Sequence, residues 1–278
     1  MEMRGLMGGF YKISEWIMRL SVTNLLWIIC SIPFVFVLGV ALLASTDENQ
    51  LLSSLILAAI LAPFTFFPAT AALYTVVRKW VMGEVDAPLL RTFFRGYKEN
   101  YLQSMLGGLL YTALIVIMFV DYRVYLDELN SFQILSYVFI GLIILLFVSM
   151  FNYFSMMVHY HMKTLQLLKN AILITIGKPF RSLSTVIVSG AIVYFSFQFT
   201  FLIPFFMGSM IALFSFYNFH LIYLKLKEQQ ERLAAEQDEE EQDDEDKRLN
   251  ELEERSDEPR KLPGEEPRRE DERPNERG

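Results

Sequence analysis

"STVIVSGAIVYFSFQFTFLIPFFMGSMIALFSFYNFHLIYL", residues 184–224, runs for 41 residues without an Asp, Glu, Lys or Arg. As one helix it would be about 60 Å long at ~1.5 Å per residue. A bilayer's hydrocarbon core is only ~30 Å thick. Pro204 lacks the N–H that a helix interior needs, and Gly208 tolerates a turn. The stretch therefore reads as two membrane spans, 184–202 and 206–224, joined by a tight hairpin at "IPFFMG".

Working outward, four more apolar runs of spanning length appear at 22–43, 51–77, 104–120 and 132–158. The chain has 278 residues, 53% of them hydrophobic, with a mean hydropathy of +0.31. The expected fold is an all-α polytopic membrane protein with about six transmembrane helices and the lipid bilayer as its first partner. Charge is unevenly placed. Residues 1–224 hold 13 Lys and Arg against 10 Asp and Glu, whereas 225–278 hold 12 against 22. A membrane domain, 22–224, is thus followed by an acidic tail, 225–278. The segment 1–21 precedes it. Within that segment Phe10, Ile13, Ile17 and Leu20 recur at helical spacing beside Lys12, Glu15 and Arg19, as in an interfacial amphipathic helix.

Direction follows from Lys and Arg, which concentrate on the cytoplasmic side. Arg4, Lys12 and Arg19 precede the first span. The connection 44–50 has no Lys or Arg, 78–103 has five, 121–131 has Arg123 alone, 159–183 has four, and Lys225 and Lys227 follow the last span. Both termini are expected in the cytoplasm.

The two basic connections resemble each other. Under a shift of 80 residues, Lys98 falls on Lys178 and Ser104 on Ser184, an echo compatible with either duplication or chance. Arg91, Arg95 and Lys98 in the first, with Lys169, Lys178 and Arg181 in the second, are candidate partner-docking residues. Their alternative role is snorkelling to lipid phosphates. In the second span, "LAPFTFFPATAALYTVVRKW" (61–80), Pro63 and Pro68 mark a candidate helix kink. Pro68 would free the carbonyl of Phe64, to be satisfied by Thr65, Thr70 or a neighbouring helix. The kink reads either as packing or as a ligand-lining break. Ser104 and Gly108 are a small-xxx-small pair suited to close helix contact, whereas Gly5 and Gly9 precede the spans.

No span interior carries an ionisable Asp, Glu, Lys or Arg, which lowers the case for a proton-coupled pump. Asn24, Thr65, Thr70, Asn152, Gln198 and Asn218 are read as helix–helix hydrogen-bonding groups. A ligand site built from Asn152, Gln198 and Asn218 is the alternative. Cys30 alone makes neither an intramolecular disulfide nor a cysteine metal site. Of the three histidines, His159, His161 and His220, the first two read as interfacial. The phosphate-loop, zinc-protease and nucleophile-elbow motifs are missing. No enzyme activity, cofactor, metal or nucleic-acid partner is expected. In the tail, Asp243–Lys247, Asp244–Arg248 and Glu251–Arg255 favour helix, and Pro259, Pro263, Pro267 and Pro274 among charges read as disorder.

"GLMGGFYKISEWIMRLSVTNLLW", "FFPATAALYTVVRKWVMGE" and "FFRGYKENY" resemble the YesL-like family of bacterial integral membrane proteins, over roughly residues 1–224. The resemblance implies a bacterial cell-membrane location. Because such proteins are often encoded beside carbohydrate ABC-transporter genes, it also implies a part in sugar uptake or its regulation. An accessory component working with ABC sugar-importer subunits is the leading expectation. A small permease or channel is the alternative.

Overall fold

The computed structural model describes residues 6–127 and 133–257. They form nine α-helices and one short π-helical segment, with no strand among the described residues. The helices are α1 (Leu6–Cys30), α2 (Ile32–Leu43), α3 (Glu48–Leu61), α4 (Phe66–Val81), α5 (Leu89–Asp127), α6 (Gln133–His159), α7 (Thr164–Gly177), α8 (Pro179–Gln198) and α9 (Gly208–Asp257). Among the described residues five helices are long and apolar enough to cross a membrane, and α3 with α4 reaches that length and apolarity only as a pair, bent by 55°. The protein is an all-α polytopic membrane protein. Arg4, Gly5 and the prolines from Pro259 onward lie outside the described residues.

Helix boundaries do not follow the hydropathy boundaries. α1 runs without interruption from the amphipathic segment into the first apolar run, because a helix satisfies its own backbone in water and in lipid alike. It stops at Ser31, whose hydroxyl donates to Trp27 O at 2.6 Å. Pro33, without an N–H, starts the short α2 there. Phe10, Ile13 and Ile17 remain exposed, whereas Leu20 packs against the core. Arg19 is buried and engaged by protein: it donates to Glu15 at 2.5 Å, to Asp86 at 3.4 Å and to the Val85 carbonyl.

α5 begins directly after Pro88 and runs 39 residues, about 58 Å at ~1.5 Å per residue, far longer than one crossing. Arg91, Arg95 and Lys98 therefore ride on the same rigid helix as the span 104–120. The second basic connection is built differently. Lys178 stands between α7 and α8 as a non-helical joint ahead of Pro179. The 80-residue echo thus joins two unlike local structures.

α8 and α9 run antiparallel. Asn218 reaches Thr185 near one end, and Met210 and Ile192 line one apolar cleft of about 210 Å³ further along. The turn between them is the π-helical Ile203–Met207. The core is aromatic: Phe67 lies 5.4 Å from Phe154, Tyr74 5.5 Å from Phe154, and Tyr111 5.3 Å from Tyr153 between ring centroids.

The chain divides into two compact units, Met1–Leu224 and Lys225–Gly278. In the second, Arg232 pairs with Glu228 at 2.7 Å and Lys227 with Glu231 at 3.5 Å. Lys247 pairs with Asp244 at 3.7 Å, three residues away rather than the four expected from Asp243.

Candidate functional site

The break in the second span is packed by neighbouring helices. The chain leaves α3 at Leu61 and re-enters helix at Phe66. Pro63 thus sits inside the break. Pro68 falls in the first turn of α4, where its missing N–H has no intrahelical partner to lose. Tyr101 Oη donates to the Phe64 carbonyl at 3.4 Å, so a neighbouring helix covers this acceptor. Thr65 Oγ1 donates to Leu61 O at 3.0 Å and Thr70 Oγ1 to Phe66 O at 2.7 Å. Trp27 Nε1 donates to Thr70 Oγ1 at 3.0 Å, tying α1 to the same place.

α5 meets this bend through a ridge at i+4 spacing: Gly96, Asn100, Ser104 and Gly108. A Cβ on Gly108 would lie 2.9 Å from Pro63 Cα and 2.8 Å from Phe67 Cγ, and one on Gly96 would lie 2.6 Å from the Thr75 side chain. Asn100 Nδ2 donates to Thr75 Oγ1 at 3.3 Å. The adjacent Gly107 faces α6, where an added Cβ would collide with Tyr153 Oη. Small residues here let backbones approach where lipid supplies no hydrophobic drive.

The stretch "RKWVMGE" (78–84) closes α4. Gly83 has φ +92°, the left-handed conformation that favours glycine. Its N–H bonds Trp80 O at 3.1 Å, and that of Glu84 bonds Lys79 O at 2.8 Å, a Schellman closure. Lys79 Nζ then donates to Glu84 at 2.5 Å, and this cation holds the Glu84 carboxyl below the usual carboxylate range. Trp80 packs edge-on against Trp16 of α1, centroids 5.6 Å apart.

The polar groups read from the sequence are mostly engaged inside the fold. Asn24 donates to the carbonyls of Ile203 at 3.0 Å and Pro204 at 2.7 Å and accepts from the Ser209 N–H at 2.9 Å, clamping the hairpin turn to α1. Asn152 donates to Thr175 Oγ1 at 2.9 Å. Asn218 donates to Thr185 Oγ1 at 3.0 Å and accepts from Arg181 Nη1 at 3.4 Å. Gln198 is exposed, so Asn152, Gln198 and Asn218 do not converge on a common site.

Arg91, Arg95 and Lys98 are exposed along the N-terminal part of α5, with Arg95 paired to Glu99 at 2.8 Å. Lys169 is exposed on α7 and Arg181 on α8, and Lys178 is half-buried at the joint between them. These residues form two groups on different elements. A shallow cleft of about 420 Å³ lies beside the first, lined by Glu99, Leu102, Gln103, Leu106, Lys163 and Thr164. Gln103 Nε2 donates to Met162 O at 2.6 Å and so fastens α5 to the α6–α7 turn. At the other end of the bundle, Arg123 pairs with Glu48 at 3.0 Å. The one basic residue that departs from the alternation of charge is therefore held by an acid.

What the sequence reading missed is that Arg78 and His220 come within electrostatic range of His159. These residues are far apart in the chain, and no local pattern joins them.

Fold and contacts together define a membrane-embedded helical protein built around a bent second span locked to α5. Residues 20–122, most of α1 through α5, match a family described as "Protein of unknown function, DUF624". Similar proteins occur in Bacillus subtilis (strain 168), each described as uncharacterized. YteU is 30% identical over 218 residues, covering 76% of this chain and 84% of its own length. YesL is 27% identical over 210 residues, covering 74% and 85%, and YesV 29% over 145, covering 51% and 69%. The chain belongs to this YesL-like family. No solved structure matches it.

Proposed function

We propose that the protein is a non-enzymatic membrane component that assists or regulates an ABC-type carbohydrate importer. It sits in the bacterial cell membrane with both termini in the cytoplasm. The observation that carries the docking part is the exposed cationic face of Arg91, Arg95 and Lys98. That face is held on a rigid extension of a spanning helix and buttressed by the Gly96–Thr75 contact. A fixed charged surface outside the lipid suits recognition of an acidic partner. The importer itself is drawn from the gene neighbourhoods of the family the chain resembles.

A small permease or channel is the second reading, and the 55° break between α3 and α4 favours it. Its weight is reduced because the bend is filled by α5 and because Asn24, Asn152 and Asn218 bond within the fold.

Affinity purification of the full chain, with Arg91→Glu, Arg95→Glu and Lys98→Glu combined in a second sample, tests the proposal. Importer subunits are expected with the unaltered chain and should fall about tenfold in the variant, the scale of one or two lost charge contacts. Equal recovery from both samples would remove the docking surface. Transport by the protein alone in proteoliposomes, with importer subunits missing from the purification, would favour the permease. For orientation, an alkaline phosphatase fusion within 44–50 is expected to be active, and an inactive fusion overturns the proposed direction.

A further inference from the structure

α4, α6 and α9 converge toward the basic end of the bundle. Tyr74 Oη donates to Ser215 Oγ at 3.0 Å, and the Tyr74 ring lies 5.5 Å from Phe154, so the three helices already touch at that level. Four or five residues further along each helix stand Arg78, His159 and His220. The His159 ring packs edge-on against Tyr223 at 4.5 Å and Tyr160 at 4.8 Å, and the His220 ring stacks on Tyr223 at 6.1 Å. Arg78 and His220 both lie within electrostatic range of His159.

Arg78 Nε, His159 Nδ1 and His220 Nδ1 are closed off from solvent, and none has a hydrogen-bond partner among the described residues. Leaving such a group unpaired forfeits its hydration without return, and native folds rarely do so. The chemistry of the missing partner is legible. A guanidinium Nε–H only donates, and an imidazole Nδ1 donates when it carries the proton. Glu84 is within electrostatic range of Arg78, but its carboxylate is held by Lys79 at 2.5 Å. A metal cation is disfavoured because the fixed charge of Arg78 would repel it.

We propose that Arg78, His159 and His220 form a binding site for a phosphate-bearing anion, walled by Tyr160 and Tyr223. Three helices each bring one unsatisfied nitrogen to this level, and the planar guanidinium suits phosphate oxygens. Two sources share this chemistry: the headgroup of an anionic phospholipid and a soluble phosphate. The proposal stands apart from the importer reading and would survive its failure.

The experiment uses the full chain purified in detergent. In one arm, native mass spectrometry follows retention from an equal mixture of phosphatidylglycerol and phosphatidylcholine. In the other, thermal unfolding is followed as inorganic phosphate replaces chloride at constant ionic strength. Phosphatidylglycerol preferred over phosphatidylcholine identifies a lipid headgroup, and stabilisation by phosphate identifies a soluble anion. Whichever response appears should weaken about tenfold in Arg78→Gln, the scale of a lost charge-assisted hydrogen bond, and return in part in Arg78→Lys. Should Arg78→Gln fail to fold, the His159→Gln/His220→Gln double variant is expected to show the same loss. Equal retention of the two lipids with no phosphate effect in the unaltered chain overturns the proposal. So does wild-type selectivity persisting in folded variants.

Discussion

Asn24 shows how much a single side chain holds. Its carboxamide, fully buried, answers two carbonyls and one N–H of the α8–α9 turn. Asn24→Ala is expected to lower stability by about 1–3 kcal/mol, read as a lower unfolding temperature in detergent. Glycines divide sharply. Gly108→Ala would press a methyl group into Pro63 Cα and the Phe67 ring, costing on the order of 1–3 kcal/mol. Gly39→Ala meets nothing within 4 Å and should be neutral or gain up to about 1 kcal/mol in helix propensity. Comparing the two unfolding temperatures checks whether backbone approach, rather than glycine itself, matters. Gly83→Ala forces an alanine to φ +92° and should cost about 1–2 kcal/mol by the same measurement.

At the scale of the element, the second span is two helices set by a neighbour. Pro68 precedes no broken hydrogen bond, and Pro63 is locked against Gly108. Pro68→Ala is therefore expected to keep the bend. Spin labels on α3 and α4 should report an unchanged distance, and a straightened pair would show that the proline itself holds the angle. The sequence marks this region as irregular but cannot place the break, because the deciding contact comes from α5. It also hides the length of α5. Hydropathy falls where lipid ends, but no proline interrupts 89–127, and the buried Phe93 and the close Gly96–Thr75 approach hold this stretch against α4, so the helix continues across a boundary that hydropathy draws at 104.

At the scale of the molecule, the apolar runs and the small-residue pair Ser104 and Gly108 were legible because each is written within a few turns of one helix. The polar groups were legible as residues and not as pairs. Asn24 with Pro204 and Asn152 with Thr175 are joined by tertiary structure alone, and only the fold brings Arg78 and His220 within electrostatic range of His159. The charged tail is a separate compact unit from the membrane domain. A chain ending at Leu224 is expected to retain the unfolding temperature of the whole, and a large drop would show that the tail contributes to the membrane fold.

The Asn24 clamp has a consequence for biogenesis. The residue lies near the start of the chain, and the groups it bonds come about 180 residues later. At translation rates of roughly 5–20 residues per second, the first helix waits on the order of ten seconds or more for its partner. During that interval an amide in hydrocarbon is unpaired or borrowed by another group. Insertion is thus not completion: the bundle closes only when Ser209 has emerged. Chains cut short before that point should sit in the membrane with an open first helix, a surface that membrane quality control is suited to recognise.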